Sequence, residues 1–173
     1  MLLRSVSTFW IMSLFAIAAC NNKTPVSEAA RPTLDNLIPK PVMVKAEAGS
    51  FNVSDSTTII VSAGNRDLLR IANYLADVLK PAMGFSLQID SVAKTSNSIV
   101  LGLVNDSSLT GEGYEMKIAA NGIVLNAYKP AGMFYGIQTI RQLLPAAIGK
   151  TSAQPGPWPI ATGTIRDYPD YGM

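Results

Sequence analysis

Histidine is absent from this chain of 173 residues, and cysteine occurs once, at Cys20. The lack of histidine removes the most common metal ligand and the most common general base of enzymes. A single cysteine cannot form a disulfide within the chain, so the fold must depend on a hydrophobic core. The sequence offers no metal-binding set and no cofactor-binding motif, and we predict neither.

Charged residues are also scarce, since they make up 15% of the sequence and leave a formal net charge of +2. The basic residues form no stripe, which argues against nucleic acid as a partner. Apolar residues account for 48% of the chain, a share typical of globular proteins. A chain of 173 residues has room for one domain with a sizeable core, whereas two domains would be cramped.

Long apolar runs are missing as well. The longest is Phe9–Ala19, interrupted only by Ser13. As a helix it would cover about 16 Å of a bilayer core that is ~30 Å thick. Arg4 precedes this run and small residues lie directly before Cys20, which is the order of an export signal. We therefore predict a signal peptide over residues 1–19.

The segment Ile17-Ala18-Ala19-Cys20 resembles a bacterial lipobox, in which the cysteine is acylated and becomes the new N-terminus. Several acyl chains on Cys20 would anchor the protein stably to a membrane. The alternative role of a lone cysteine is that of a small hydrophobic core residue. Residues 20–36 are polar and interrupted by proline, which predicts a lipid anchor followed by a flexible tether. The location implied is the bacterial cell envelope, either periplasmic or surface-exposed.

The most informative stretch is Gly113–Pro145, which predicts a strand, a tight turn, a strand and a helix in close succession. Apolar and charged residues alternate over Tyr114–Ile118, the period-2 pattern of a half-buried strand. Asn121-Gly122 follows, and both residues tolerate the positive φ that a primed two-residue hairpin turn requires. The residues after this turn alternate in the same way and complete a β-hairpin.

Pro130 begins the helix of this stretch, because proline fits a first helical turn but cannot donate to a sheet. Gly132 and Gly136 lie one turn apart, which predicts a close approach between helix and sheet. Phe134 and Tyr135 are assigned to the core together with Met133. The apolar stripe of this helix consists of Met133, Ile137, Ile140 and Leu144.

An earlier helix is predicted after Gly64, with Asn65 as its N-cap and with Pro81 and Gly84 as its end. Its apolar stripe consists of Leu68, Ala72, Leu75 and Leu79. The remaining predicted strands are 42–48, 51–53, 57–61, 85–89, 98–104 and 160–165. The strands are bunched and do not alternate strictly with helices. This favours an α+β fold over residues 37–164, with a mostly antiparallel sheet of about six to seven strands and two helices packed on one face.

The stretch Gly113–Pro145 also resembles part of a known protein family. The runs G-Y-E-M-x-I, N-G-I-x-L-x-A and P-A-G-x-F-Y-G-x-Q-T-x-R-Q-L-L-P are similar to the N-terminal domain of β-N-acetylhexosaminidases of glycoside hydrolase family 20. The I-P-x-P element that starts at Ile38 is similar to the beginning of that domain. Residues 165–173 are similar to the family's junction with a catalytic (β/α)8 barrel, which we expect to be missing from this chain. Related domains precede the barrels of a few other glycosidases, so attachment to another such enzyme stays open.

The resemblance implies a substrate-assisted retaining mechanism, in which the 2-acetamido oxygen of the sugar attacks its own anomeric carbon. In the family, adjacent Asp and Glu residues of an H-x-G-G-D-E-type motif on a barrel strand carry this chemistry. This chain contains no such motif and no histidine. We therefore assign no catalytic residue to it.

Asp167 and Asp170 are the one close pair of carboxylates near aromatic residues, and such pairs can divide acid and base roles. The alternative is an exposed D-Y-P-D turn, since aspartate is favoured beside proline in turns. Trp158, Tyr168 and Tyr171 form either a sugar-stacking patch or part of an interface with a barrel. The glycines that precede the hairpin fail the spacing and context of a phosphate-binding loop, and these are Gly102, Gly111 and Gly113.

The resemblance thus predicts the accessory domain of an enzyme that removes terminal N-acetylglucosamine or N-acetylgalactosamine from glycans. Its expected partners are the catalytic barrel, the glycan substrate and a membrane reached through the lipid anchor. On its own the chain is expected to be inactive. The alternative function is that of a free-standing envelope lipoprotein that binds a glycan or a partner protein.

Overall fold

The computed structural model describes residues 32–169, which form one seven-stranded sheet and two α-helices. The strands are β1 Met43–Val53, β2 Thr58–Val61, β3 Gln88–Asp90, β4 Ser98–Leu103, β5 Tyr114–Ala119, β6 Gly122–Ala127 and β7 Trp158–Asp167. The helices are α1 Arg66–Met83 and α2 Pro130–Leu143, with short 3-10 helices at Ser107–Leu109 and Ala146–Gly149. The predicted α+β class is confirmed.

The strands follow the order β1-β7-β5-β6-β4-β2-β3 across the sheet. Strands β1, β7, β5 and β6 are antiparallel neighbours, whereas β6, β4, β2 and β3 run parallel to one another. The antiparallel ladders pair more residues than the parallel ones. The difference follows the connections, because β5 and β6 are joined by a tight hairpin while β2 and β3 are joined through α1.

Both helices lie on one face of the sheet, as predicted. Helix α1 packs on β2, β3 and β4, helix α2 packs on β4 to β7, and the two helices contact each other. Tyr114, Met116 and Ile118 of β5 point into this layer and are buried, while Glu115 and Lys117 point to the far face. The core therefore lies between the helices and the sheet.

Helix α1 begins and ends at locally encoded caps. The Oδ1 atom of Asn65 accepts a hydrogen bond from the backbone N–H of Leu68 at 3.0 Å, so the predicted N-cap is confirmed. The helix ends at Gly84, which adopts a left-handed conformation. The expected stop at Pro81 is wrong, since the helix continues to Met83. A proline in the last turn leaves the following residues free to keep helical geometry.

Helix α2 lies very close to the sheet and to the loop before β5. A Cβ atom at Gly136 would lie 2.5 Å from a side-chain carbon of Leu125, and one at Gly132 would clash with the carbonyl oxygen of Gly113. The obstacle at Gly132 is backbone, so only glycine fits there, whereas a larger residue at Gly136 would require the buried Leu125 side chain to move. The close approach predicted from their spacing is confirmed.

The hairpin turn differs from the prediction by one residue. The register pairs Ala119 with Gly122, so the two-residue loop is Ala120-Asn121 and not Asn121-Gly122. Neither loop residue has a positive φ, so the turn is not of the primed type. Contacts with the chain before β4 hold the loop, because the carbonyl oxygen of Asn121 accepts from the N–H of Asn97 at 2.6 Å.

Strand limits differ elsewhere too. The two segments expected at 42–48 and 51–53 form one strand with a register shift between Ala46 and Ser50. Strand β3 covers only Gln88–Asp90, and β7 is longer than expected at both ends.

The predicted signal peptide, the lipid attachment site Cys20 and most of the tether lie outside the described residues, as does the end of the predicted junction. In residues 32–169, no helix has the length and apolar character needed to cross a bilayer.

Candidate functional site

A pocket of about 460 Å³ opens where the chain enters and leaves the fold. We call it the junction pocket and define it by three walls: the segment Leu37–Val42, the outer side of α2 with Tyr135, Gln138 and Gln142, and the end of β7 with the following residues 168–169. Glu112 and Tyr114 also line it.

Two hydrogen bonds hold the first wall in place. The backbone N–H of Ile38 donates to Gln142 Oε1 at 3.2 Å, and the backbone N–H of Val42 donates to Asp167 Oδ1 at 3.3 Å. The segment before β1 is therefore fastened both to α2 and to the last residue of β7.

The inner end of the pocket contains a pair of hydroxyl groups. Tyr114 Oη lies 2.6 Å from Thr139 Oγ1, and Thr139 donates to the carbonyl oxygen of Tyr135 at 3.3 Å. Because a threonine hydroxyl has one proton, Tyr114 is the donor in the pair. Burial raises the pKa of Tyr114 to about 12, and the negative charge of Asp167 adds a smaller increase. Tyr114 is therefore neutral at physiological pH and cannot serve as a base there.

Exposed aromatic rings continue from the pocket across the helices. Tyr135 is 47% exposed, and its ring centroid lies 6.3 Å from that of Phe134. Phe134 in turn lies 5.4 Å from Tyr74 of α1, and both rings are 39% exposed. We call these three residues the aromatic strip. The assignment of Phe134 and Tyr135 to the core is wrong, because they follow Met133 at positions that helical periodicity turns away from the sheet.

The chemistry available at this site is that of binding. The side chains lining the pocket carry amide, carboxylate, phenol, hydroxyl, ammonium and apolar groups, which can hold a ligand through hydrogen bonds and apolar contacts. Among residues 32–169, no group of three or more histidine, cysteine, aspartate or glutamate residues is arranged to hold a metal ion.

The sequence model for glycosyl hydrolase family 20, domain 2, matches residues 35–168. The chain belongs to this family.

Relatives with known activities cover the same region. The beta-hexosaminidase of Porphyromonas gingivalis is 34% identical over 166 residues, which is 94% of this chain and 21% of that protein. The N-acetyl-beta-hexosaminidase of Streptomyces plicatus is 41% identical, with a TM-score of 0.76 over 83% of this chain and 28% of the solved one. The beta-N-acetylhexosaminidase of Bacteroides fragilis, at 17% identity and a TM-score of 0.60, shares the fold. The chain thus spans 21–28% of the length of these hydrolases and corresponds to their non-catalytic accessory domain.

Trp158 and Tyr168, which were predicted to share a sugar-stacking patch, do not lie together in this family 20 domain. Trp158 is 3% exposed in the core at the start of β7, and its backbone N–H donates to Asn52 Oδ1 at 2.9 Å. Tyr168 follows the other end of the same ten-residue strand, about 30 Å away at 3.3 Å per residue. A patch that contains both residues is therefore excluded, and Tyr171 lies outside the described residues.

The structure describes only one member of the predicted carboxylate pair, Asp167. Asp167 ends β7 and fastens Val42, which is a structural role, while Asp170 lies outside the described residues. Gly113 has a packing role, because a Cβ atom there would meet Asp167 O at 2.9 Å and Tyr168 Cβ at 2.7 Å.

The sequence reasoning missed an ionic cluster on the far face of the sheet. Arg166 donates to Glu115 Oε2 at 3.1 Å and to Ser108 Oγ at 2.5 Å, and it lies 3.8 Å from Asp106. Hydrogen bonds from Ser108 hold the pKa of Asp106 below its usual value, with a smaller contribution from Arg166. Strand pairing alone places Arg166 opposite Glu115, so a correct sheet order would have revealed this contact.

Proposed function

We propose that this chain is the accessory domain of a β-N-acetylhexosaminidase that removes terminal N-acetylglucosamine or N-acetylgalactosamine from glycans. The observation that carries the proposal is the family 20 match over residues 35–168, together with 34–41% identity to hexosaminidases of bacteria. One such relative, from Streptomyces plicatus, has been solved in complex with the product GlcNAc. The whole enzyme would use the substrate-assisted mechanism typical of its family.

The domain's own part in this activity is structural. The core between helices and sheet leaves binding surfaces only on the outside of the domain. The catalytic Asp and Glu belong to the barrel of the larger enzyme, which this domain would support and position.

The first experiment compares this chain with the longer protein. The nucleotide sequence of the locus beyond codon 173 gives the reading frame, and both the 173-residue chain and the complete product are then assayed with an aryl N-acetylglucosaminide. We expect turnover by the complete protein and none by the chain alone. Clear turnover by the chain alone, or a stop codon directly after Met173, would overturn the proposal.

We also propose that Cys20 carries the lipid and holds the enzyme at the cell envelope. The motif Ile17-Ala18-Ala19-Cys20 at the end of a short apolar run supports this assignment. Cells that express the protein would be fed an alkyne-labelled fatty acid, and the wild type should incorporate it. Cys20→Ser should not, and equal labelling of the two proteins would exclude acylation at this residue.

A further inference from the structure

We propose that residues 33–37 form a strap that belongs to the folded domain, and that the link to the membrane is confined to the residues between Cys20 and this strap. The strap is inferred from contacts of the described residues alone, whereas the link rests on the proposed acylation of Cys20. Together they shorten the tether that the sequence predicts over residues 20–36.

Two leucines of the strap are core residues. Leu34 is 1% exposed and Leu37 is 6% exposed, and both belong to the same cluster of buried apolar side chains as the helices and the sheet. The residue after them, Ile38, is 80% exposed, so burial is specific to the two leucines. Ordering the strap costs conformational entropy, and the burial of these side chains offsets that cost. A flexible tether would leave both of them in water.

A glycine in β7 provides the space for Leu34. A Cβ atom at Gly163 would lie 2.6 Å from Leu34 Cδ1, whereas carbon atoms in ordinary contact lie about 3.5–4.0 Å apart. Gly163 pairs with Ile118 of β5, whose side chain points into the layer between helices and sheet. Leu34 therefore lies in this layer, at the point where β7 also pairs with Ala46 of β1.

The helix layer ends short of the β1 edge of the sheet. The main contacts of α1 and α2 are with strands β2 to β7, whereas those of β1 are with β7 and β5. The inner face of a sheet must be covered by another element wherever its side chains are apolar. The strap adds this cover where the helices stop, because Leu34 lies on the ladder that joins β1 to β7.

Hydrogen bonds fix both ends of the strap. At its start, Thr33 Oγ1 donates to Asp35 Oδ2 at 2.9 Å and accepts from the backbone N–H of Asp35 at 3.1 Å. Directly after its end, the N–H of Ile38 donates to Gln142 Oε1 of α2. The chain is thus held from Thr33 onwards, and the folded domain begins at that residue.

The position of the strap sets the reach of a lipid anchor at Cys20. An extended chain from Cys20 to Thr33 spans at most about 45 Å, and a flexible chain of that length averages about 20 Å from end to end. A tether that continued to residue 36 would reach about 60 Å. The strap therefore keeps the enzyme closer to the lipid surface and favours glycan ends that lie near this surface.

The strap is tested with Leu34→Asp in the 173-residue chain, and Ile38→Asp is the matched control four residues away. We expect Leu34→Asp to lower the Tm by about 8 °C or more, because the folded chain would have to bury an unpaired charge or release the strap. Ile38→Asp should change the Tm by less than about 2 °C, since this side chain is exposed.

Leu34→Ala provides a milder variant in case Leu34→Asp does not fold. It removes apolar contacts without adding a charge, and we expect a loss of about 4 °C or more in Tm. Equal Tm values for Leu34→Asp and Ile38→Asp, or a wild-type Tm for Leu34→Ala, would overturn the strap.

The link is tested on the complete protein in the membrane fraction of cells that express it. Thermolysin, which cuts before apolar residues, is added to this fraction, and the first residue of the released protein is identified. We expect release by cuts before Thr33, with the Tm of the released protein unchanged. A released protein that starts at Leu34 or Leu37 and keeps its Tm would overturn the proposal.

Failure of the strap is distinguishable from failure of the proposed function. A wild-type protein that incorporates no labelled fatty acid would overturn the link to the membrane, and one without turnover of the aryl N-acetylglucosaminide would lack the enzymatic activity. Neither result alters the difference in Tm between Leu34→Asp and Ile38→Asp, which is measured without a membrane or a substrate.

Discussion

The two helices lie side by side on one sheet, yet they are held in different ways. Helix α1 has a side-chain cap at Asn65 and a left-handed Gly84 whose N–H donates to Lys80 O at 2.9 Å. Helix α2 has no side-chain cap at Lys129, and it ends in the extended Leu144. Hydrogen-bonded caps thus fix both ends of α1, whereas α2 has only Pro130 as a local start signal and depends otherwise on contacts with β5, β6 and the loop between β4 and β5.

The packing of α2 supplies the largest expected effect. Gly132→Ala would push a methyl group against the carbonyl of Gly113, so we expect a loss of about 3 kcal/mol in the free energy of unfolding, measured in urea. Gly111→Ala is the control, because nothing lies within 4 Å of a Cβ atom there. Equal stability of the two variants would show that α2 does not need its close approach.

The hydroxyl pair under α2 predicts a dependence on alkaline pH. The pKa of Tyr114 is raised to about 12 in the folded state and is near 10 when unfolded. The unfolded chain therefore releases this proton at a lower pH than the folded chain. The stabilisation of the folded state by neutral Tyr114 is fully present below pH 10 and is lost as the pH rises towards 12. We expect the wild type to lose about 2 kcal/mol over this range relative to Tyr114→Phe. Parallel pH profiles for the two proteins would contradict this assignment.

The cap of α1 supplies the smallest effect. Asn65→Ala removes the acceptor for the Leu68 N–H and should lower the free energy of unfolding by about 1 kcal/mol. Asn65→Asp retains an acceptor and should stay within about 0.3 kcal/mol of the wild type. If Asn65→Ala cost as much as Gly132→Ala, the contrast between the helices would be lost.

The features that could be predicted from the sequence are those that depend on a local pattern of residues. The buried stripes of both helices, the Asn65 cap and the alternation of β5 each follow from spacing, and the structure confirms them. The glycine pair of α2 was also recognisable, since two glycines one turn apart have few other roles in a helix.

The features that the sequence did not predict depend on contacts between residues that are distant in the chain. The hairpin loop lies one residue earlier than predicted, and its Asn121 is hydrogen-bonded to Asn97, a neighbour that only the pairing of β4 with β6 brings close. The junction pocket combines residues near 40, 140 and 167, whose proximity no periodicity indicates. Trp158 and Tyr168 are close in sequence, but an extended strand keeps them apart.

The fastening of Val42 to Asp167 has a mechanical consequence. Strands β1 and β7 are antiparallel, and Met43 at the start of β1 pairs with Arg166 near the end of β7. The segments before β1 and after β7 therefore leave from the same end of one ladder. Tension between them would first load the hydrogen bonds Ile38–Gln142 and Val42–Asp167. It would then open the ladder one residue pair at a time, since the bonds would break in succession and not together. A pull of this kind therefore meets less resistance than one that loads all the bonds of the ladder at once.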